Sequence, residues 1–302
     1  MFKVGECTVE KILQSFDKNK EEIDEDIVNL QKWMDDQPHL PETLDKRSTM
    51  NFLILNKFSI EKTKQKIDTY YTVRTKLEDV YQHINPKLPH MTEFRNIIYF
   101  VPHPQLLDFR RVFFCKIRNA DLAEKLDPCN MLRCMVNVHE MRMREDVMYG
   151  EIFVVDCYKV PLSYYLKLNP TIIFKCMAVI YGKVFSFRLK AFYVVNFPSF
   201  GEKVMAIAKK IIKPKVFERI HFFSDHSILK QEFSEDFLPE DFGGKGPCLE
   251  NLQEMLECEY KSHQNLFDRL DKLKVDEGLR PQKLENNELF GFYGNFKQLN
   301  LD

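Results

Sequence analysis

Apolar positions along this chain change their period near residue 90. Before that point they recur every three or four residues, as on one face of a helix. Residues 8–36 carry this spacing among many acidic positions and end at Trp33 and Met34. Pro38 and Pro41 block helix over 35–41, so a loop is predicted there. A short helix follows at 43–55. Ser59 is predicted as the N-cap of a long helix to about residue 82, with Ile60, Ile67, Tyr70, Leu77 and Tyr81 on one face. Pro86, Pro89, Pro102 and Pro104 punctuate the link to the second half.

Beyond the link, short apolar runs alternate with longer helical stretches. Strands are predicted at 109–117, 152–156, 189–195 and 220–223. Helices are predicted at 128–148, at 162–184 with a break at Asn169–Pro170, and at 199–213. The run at 152–156 is almost continuously apolar, as a strand buried on both faces should be. This alternation at βαβ spacing implies a largely parallel sheet covered by helices. After Gly243–Gly244 a helix is predicted at 249–273, followed by a polar tail with an aromatic-glycine stretch at 288–296. The fold class is therefore α/β, with an all-helical module at 1–92, an α/β lobe at 93–248 and a C-terminal helix and tail at 249–302. The stretch 150–244 organises the whole.

One helix within it stands out. Phe200, Val204, Ile207 and Ile211 form a stripe, with Met205, Ala208 and Ile212 beside it. The apolar arc is roughly 160° wide, against about 100° for an ordinary core stripe. Glu202, Lys209, Lys210 and Lys213 take the other side. A buried core helix explains this pattern, and so does a lid with one edge on a ligand and another facing a bilayer.

Composition narrows the function. Net charge is −1, so no global field calls for nucleic acid. The 26 Phe and 12 Tyr against one Trp suit the lining of an apolar cavity as well as an ordinary core. The N-terminus lacks the apolar core of a signal peptide, and no apolar run reaches the length of a membrane span. Eight scattered cysteines without a Cys-x-x-Cys pair fit a reducing, cytosolic compartment and give no zinc motif. There is no Gly-rich phosphate loop, nucleophile elbow or His-Glu-x-x-His. His139–Glu140 is predicted as a solvated pair and Asp225 as the N-cap of a short helix, rather than as acid/base groups. No catalytic residue, metal ligand or cofactor is expected.

The segment 150–244 resembles the CRAL-TRIO lipid-binding domain. The motifs that carry the likeness are Ile152-Phe153-Val154-Val155-Asp156 and Phe192-Tyr193-Val194-Val195-Asn196-Phe197-Pro198. Ile212-Lys213-Pro214-Lys215, Glu218-Arg219-Ile220-His221 and Leu238-Pro239-Glu240-Asp241-Phe242-Gly243-Gly244 follow in order. Residues 43–82 look like the helical module that precedes that domain, through Phe52-Leu53, Lys57-Phe58 and Glu61-Lys62. The loop Gln37-Pro38-His39-Leu40-Pro41 and the tail Leu289-Phe290-Gly291 look like the insect branch of α-tocopherol-transfer-protein-like and clavesin-like members.

What the resemblance implies is a cytosolic carrier, not an enzyme. It would enclose one hydrophobic ligand (a tocopherol, a retinoid or carotenoid, or a similar isoprenoid) in an apolar cavity under a gate helix, and exchange it at membranes as a monomer. The ligand-lining positions it implies are Cys134, Asn137, Val155, Leu166, Leu168, Ile173, Met177, Ile180, Val184 and Phe187. From the gate it adds Val204, Ile207, Ala208 and Ile211. Arg133 and Asn137 depart from the hydroxyl residues of the tocopherol carrier, which leaves another ligand open. A phosphoinositide or anionic-membrane site is implied at Arg188, Lys190, Lys215 and Arg219. Ile54-Leu55-Asn56 stands where relatives supply a further arginine. A phosphoinositide-binding trafficking adaptor and a lipid-regulated scaffold are the alternative functions.

Overall fold

The computed structural model describes residues 1–168, 182–185, 188–199, 201, 205–206, 209–210 and 214–281. Its N-terminal part is helical: α1 (Glu6–Gln14), α2 (Lys20–Asp35), α3 (Lys46–Leu55), α4 (Ile60–Lys76), the short α5 (Glu78–Tyr81) and α6 (Pro89–Ile97). The periodic stretch at 8–36 is two helices, not one. Asp17 takes a left-handed backbone, and the Asn19 side chain accepts from Glu22 N at 2.8 Å, so a new helix starts at Lys20. Asp45 caps α3 in the same way. Ser59 occupies the N-cap position of α4, but its side chain makes no capping bond.

The lobe holds a five-stranded sheet in the order β1 (Ile98–Leu107), β2 (Arg110–Ile117), β3 (Glu151–Asp156), β4 (Leu189–Val195), β5 (Ile220–Phe222). All neighbours are parallel except β1 and β2. Strand β1 was not predicted, because Pro102 and Pro104 read as linker. An edge strand tolerates prolines, since one side of it needs no ladder donors. The β1–β2 connection is a two-residue turn with Asp108 and Phe109 at φ 47° and 63°, the left-handed pair a tight hairpin needs. The register slips between Pro102 and Leu106.

One face of the sheet is a row of rings. Phe100, Phe113, Phe153 and Phe192 stack across four strands at centroid spacings of 5.3, 5.0 and 5.4 Å. Helix α7 (Pro128–Glu145) lies on this face, with the His139 ring 5.6 Å from Phe113 and the Arg142 guanidinium 5.1 Å above it. The opposite face is covered by the chain after β5. Phe233 and Phe242 meet Phe114, and Phe237 lies on His103. Gly243 has φ 81°, and a Cβ on Gly244 would lie 1.9 Å from Leu238 O, so this turn needs both glycines.

Between β3 and β5 the chain also forms α8 (Leu162–Lys167) and α9 (Pro214–Phe217), and α10 (Leu229–Glu232) follows β5. Asp225 bonds Ser227 N at 2.7 Å within the turn before α10, and Ile228 is the capping residue. The predicted helix at 249–273 is α11 (Leu249–Ser262) and α12 (Gln264–Leu270), parted at His263. Helix α11 packs along β1. The helical part and the lobe share one apolar core, in which Phe52, Ile67 and Tyr70 join Phe113, Val154 and Val195.

Candidate functional site

Where α7 crosses the sheet, charge is buried rather than solvated. The His139–Glu140 pair, expected in water, is enclosed on both residues. Glu140 receives the Tyr70 hydroxyl at 2.7 Å and pairs with Arg74 and Arg144. His139 Nε2 lies 3.0 Å from Glu151 Oε1, which also pairs with Arg142. Asp146 accepts from Arg111 at 3.0 and 2.8 Å and from Arg142 at 2.7 Å. Burial pushes the Asp146 and Glu140 carboxyls up, but the guanidiniums outweigh it and hold both below the usual carboxylate range. Asn51 of α3 adds three bonds to the same junction, donating to Met143 O and Asp146 O and accepting from Met148 N. This network joins the helical part to the lobe. Adjacent polar residues on a helix gave no sign of it in the sequence.

The ligand-lining candidates divide into four groups, the last being Leu166 alone. Val155 is half-buried on β3, Leu168 is half-buried after α8, and Val184 is fully buried. Cys134 and Asn137 are buried on α7. Asn137 donates to Ile84 O at 2.7 Å. Cys134 lines a cavity of about 10 Å³ with Phe94, Arg95, Phe100 and Tyr260, room for a single water. Ile173, Met177, Ile180, Phe187, Val204, Ile207, Ala208 and Ile211 lie outside the described residues, and with them most of the predicted gate helix.

Burial pushes the Cys134 thiol up to about 12, against the opposing pull of Arg95. It therefore stays protonated at pH 8, and a protonated buried thiol is a poor nucleophile. Iodoacetamide at pH 8 is expected to modify exposed Cys7 and Cys258 while sparing Cys134 in the folded chain. Peptide mass spectrometry reads the sites, and early labelling of Cys134 would contradict this packing.

Leu166 is 77% exposed, not enclosed. Leu162, one turn earlier on α8, is 54% exposed, and Tyr158 just before the helix is 57% exposed. Together with exposed Lys159 and Lys167 they make an apolar patch with a basic fringe. The i, i+4 spacing of Leu162 and Leu166 was visible in the sequence, but a face says nothing of what it meets.

Of the basic candidates, Arg219 lies against the start of β4. Phe192 N donates to Arg219 O at 2.8 Å, and the Arg219 guanidinium bonds Leu189 O, beside Lys190. Lys190 and Lys215 are exposed. Arg188 turns to the helical part instead. It donates to Ile54 O at 2.6 Å and lies over the Phe16 and Tyr149 rings. Among the described residues one group has metal-ligand character, Glu145, Glu259 and His263, with donor atoms within 4.8 Å of one another. Its members are engaged, Glu259 with the Met1 ammonium and His263 with Glu145 at 3.1 Å.

A helical N-terminal region is thus followed by a mostly parallel five-stranded α/β lobe. Residues 101–244 match the CRAL/TRIO domain, and residues 19–91 match the Pinta-like UBA domain. The chain is 25% identical over 211 residues to proteins named alpha-tocopherol transfer protein-like from Homo sapiens and Pongo abelii. The Mus musculus counterpart is 24% identical. Each match covers 68% of this chain and 60% of the relative. The crystal structure of Sfh5 is also similar, at 16% identity and a TM-score of 0.47 over 100% of both chains. The CRAL/TRIO match takes in β2 to β5, and the curated relatives are similar over about two thirds of this chain.

Proposed function

We propose that this protein carries one small hydrophobic molecule in its lobe and exchanges it at membrane surfaces. The observation that carries the reading is the CRAL/TRIO match at 101–244, which takes in β2 to β5 entire. The name of the alpha-tocopherol transfer protein-like relatives favours a tocopherol, and a retinoid, carotenoid or related isoprenoid has the same apolar chemistry. Burying on the order of 400 Å² of such a ligand at about 25 cal/mol/Å² gives about 10 kcal/mol gross. That suffices for tight retention after association costs. It also makes release into water slow, so delivery needs a membrane to replace the cavity as apolar surroundings. The exposed Tyr158, Leu162 and Leu166 beside lysines suit reversible attachment to an anionic surface. No described helix is long and apolar enough to cross a membrane. We read the chain as a carrier working from the cytosol, not an enzyme.

A phosphoinositide-binding adaptor is the second reading, favoured by the exposed cations Lys190 and Lys215. Organic extraction of the purified protein, with absorption spectroscopy and mass spectrometry of the extract, separates the two. A carrier should yield about one hydrophobe per chain. An empty extract, with vesicle binding that depends wholly on phosphoinositide, would replace transfer by the adaptor reading.

A further inference from the structure

Two cations cross between the helical part and the lobe at one place. Lys66 of α4 donates through Nζ to the main-chain oxygens of Gly182 at 2.7 Å and Lys183 at 2.8 Å. Arg188, just before β4, donates to Ile54 O in the last turn of α3. Residues 182–184 form a π-helical turn. The last carbonyls of a helix have no partner within it and carry the negative end of its dipole. Arg188 shares Ile54 O with Lys57 N at 3.1 Å, and Lys66 holds two main-chain oxygens of the π turn, so each cation binds backbone of the other half of the molecule. Between them Val184 and Phe185 are fully buried. The Phe185 ring lies edge-on to Tyr70 of α4 at 6.3 Å and 5.5 Å from His139 of α7. The stretch entering β4 is therefore gripped by α3 and α4 on one side and by α7 on the other.

The two kinds of contact differ in how easily they open. Phe185 is in the core and cannot leave without breaking packing. Lys66 sits at the rim, half-exposed, and its bond to Gly182 O is open to solvent. Rim contacts of this kind open locally, without unfolding the core. We infer that Lys66 is a positioning residue for ligand retention: it ties the helical part to the segment that leads into β4, so that the two halves hold the lobe closed together. This rests on the carrier reading above.

K66M keeps the aliphatic stem and removes the ammonium, and K66R keeps a cation. Hydrogen–deuterium exchange on the full chain reads the tie without any ligand. In K66M the amides of 182–185 and 188–190 are expected to exchange about tenfold faster, with β2 and β3 unchanged and K66R close to the parent. Loaded with a fluorescent tocopherol analogue, K66M should release it to phosphatidylcholine vesicles several-fold faster than the parent, and K66R should restore retention. Unchanged exchange at 182–190, or a rise shared equally by β2 and β3, overturns the tie. Faster exchange with unchanged release overturns the role in retention. If the parent takes up no analogue, the carrier reading is what fails, and the retention role falls with it, while the exchange result still decides the tie.

Discussion

Replacing Asp146 by alanine is expected to destabilise the protein by about 3–5 kcal/mol, the cost of leaving buried charge without its partner. The carboxylate is fully enclosed and sits between two guanidiniums that are themselves enclosed. Arg111 reaches it with Nε and Nη2 and spends Nη1 on His103 O and Pro104 O. Arg142 reaches it with Nε, while its Nη2 has no hydrogen-bond partner among the described residues. Asp146 Oδ1 also accepts from Val147 N at 2.8 Å. Removing the carboxylate leaves two desolvated cations with Glu151 as the remaining paired counter-charge among the described residues, and unties the loop that carries α7 into β3. The midpoint of urea unfolding at pH 7 measures this.

The same carboxylate gives the loss a pH signature. Its pKa in the folded state lies below the unfolded value of about 4, so its stabilisation is fully present above that value. The stabilisation is lost as pH falls through the lower folded-state pKa. The gap between parent and D146A should therefore be constant from pH 5 to 8 and shrink in stronger acid. A variant within about 1 kcal/mol of the parent at pH 7, or a gap that widens in acid, would remove Asp146 from this role.

What could be read in advance follows from the range of the forces involved. Strand β4 was predicted at its observed bounds, Leu189–Val195, because its apolar run is flanked by polar breaks on both sides. The parallel sheet followed from strand and helix spacing alone. Strand β1 escaped because proline is a local signal against a strand, and only its place at the sheet edge makes it tolerable. The break between α1 and α2 escaped because Asn19 looks like any polar residue until its side chain is seen to cap Glu22 N. The buried ion network was illegible for a different reason. Arg111 and Asp146 are 35 positions apart, and Arg74 and Glu140 are 66 apart, so nothing local marks them as partners. Arg188 and Lys190 show the limit most clearly. Two positions apart in sequence, one bonds a helix end across the molecule and the other is exposed at the start of β4. Pattern locates a cation but not the group that draws it.

The double substitution L162N/L166N is expected to weaken binding to anionic vesicles about tenfold or more while leaving the fold intact. Burying a leucine side chain in an apolar phase is worth about 1.5–3 kcal/mol, and a factor of ten needs about 1.4 kcal/mol. Even partial insertion of two side chains at 54% and 77% exposure exceeds that. The folded state has little to lose, since surface substitutions away from packed contacts stay within about 0.5 kcal/mol. Tyr165 on the inner face of α8 keeps the helix seated. Basic residues beside the patch, Lys159 and Lys167, make the parent's binding sensitive to salt, because exposed charges are screened within about 10 Å at 0.1 M. Co-sedimentation with phosphatidylserine vesicles at low and high salt separates the two contributions. The substituted protein should keep the salt dependence and lose the affinity. Binding equal to the parent's at both salts would show that α8 does not face the membrane. Raised salt that strips the parent completely would assign attachment to charge rather than to these leucines. If the leucines insert, transfer of a bound hydrophobe to acceptor vesicles falls with binding, because the ligand leaves the lobe only where a bilayer can receive it.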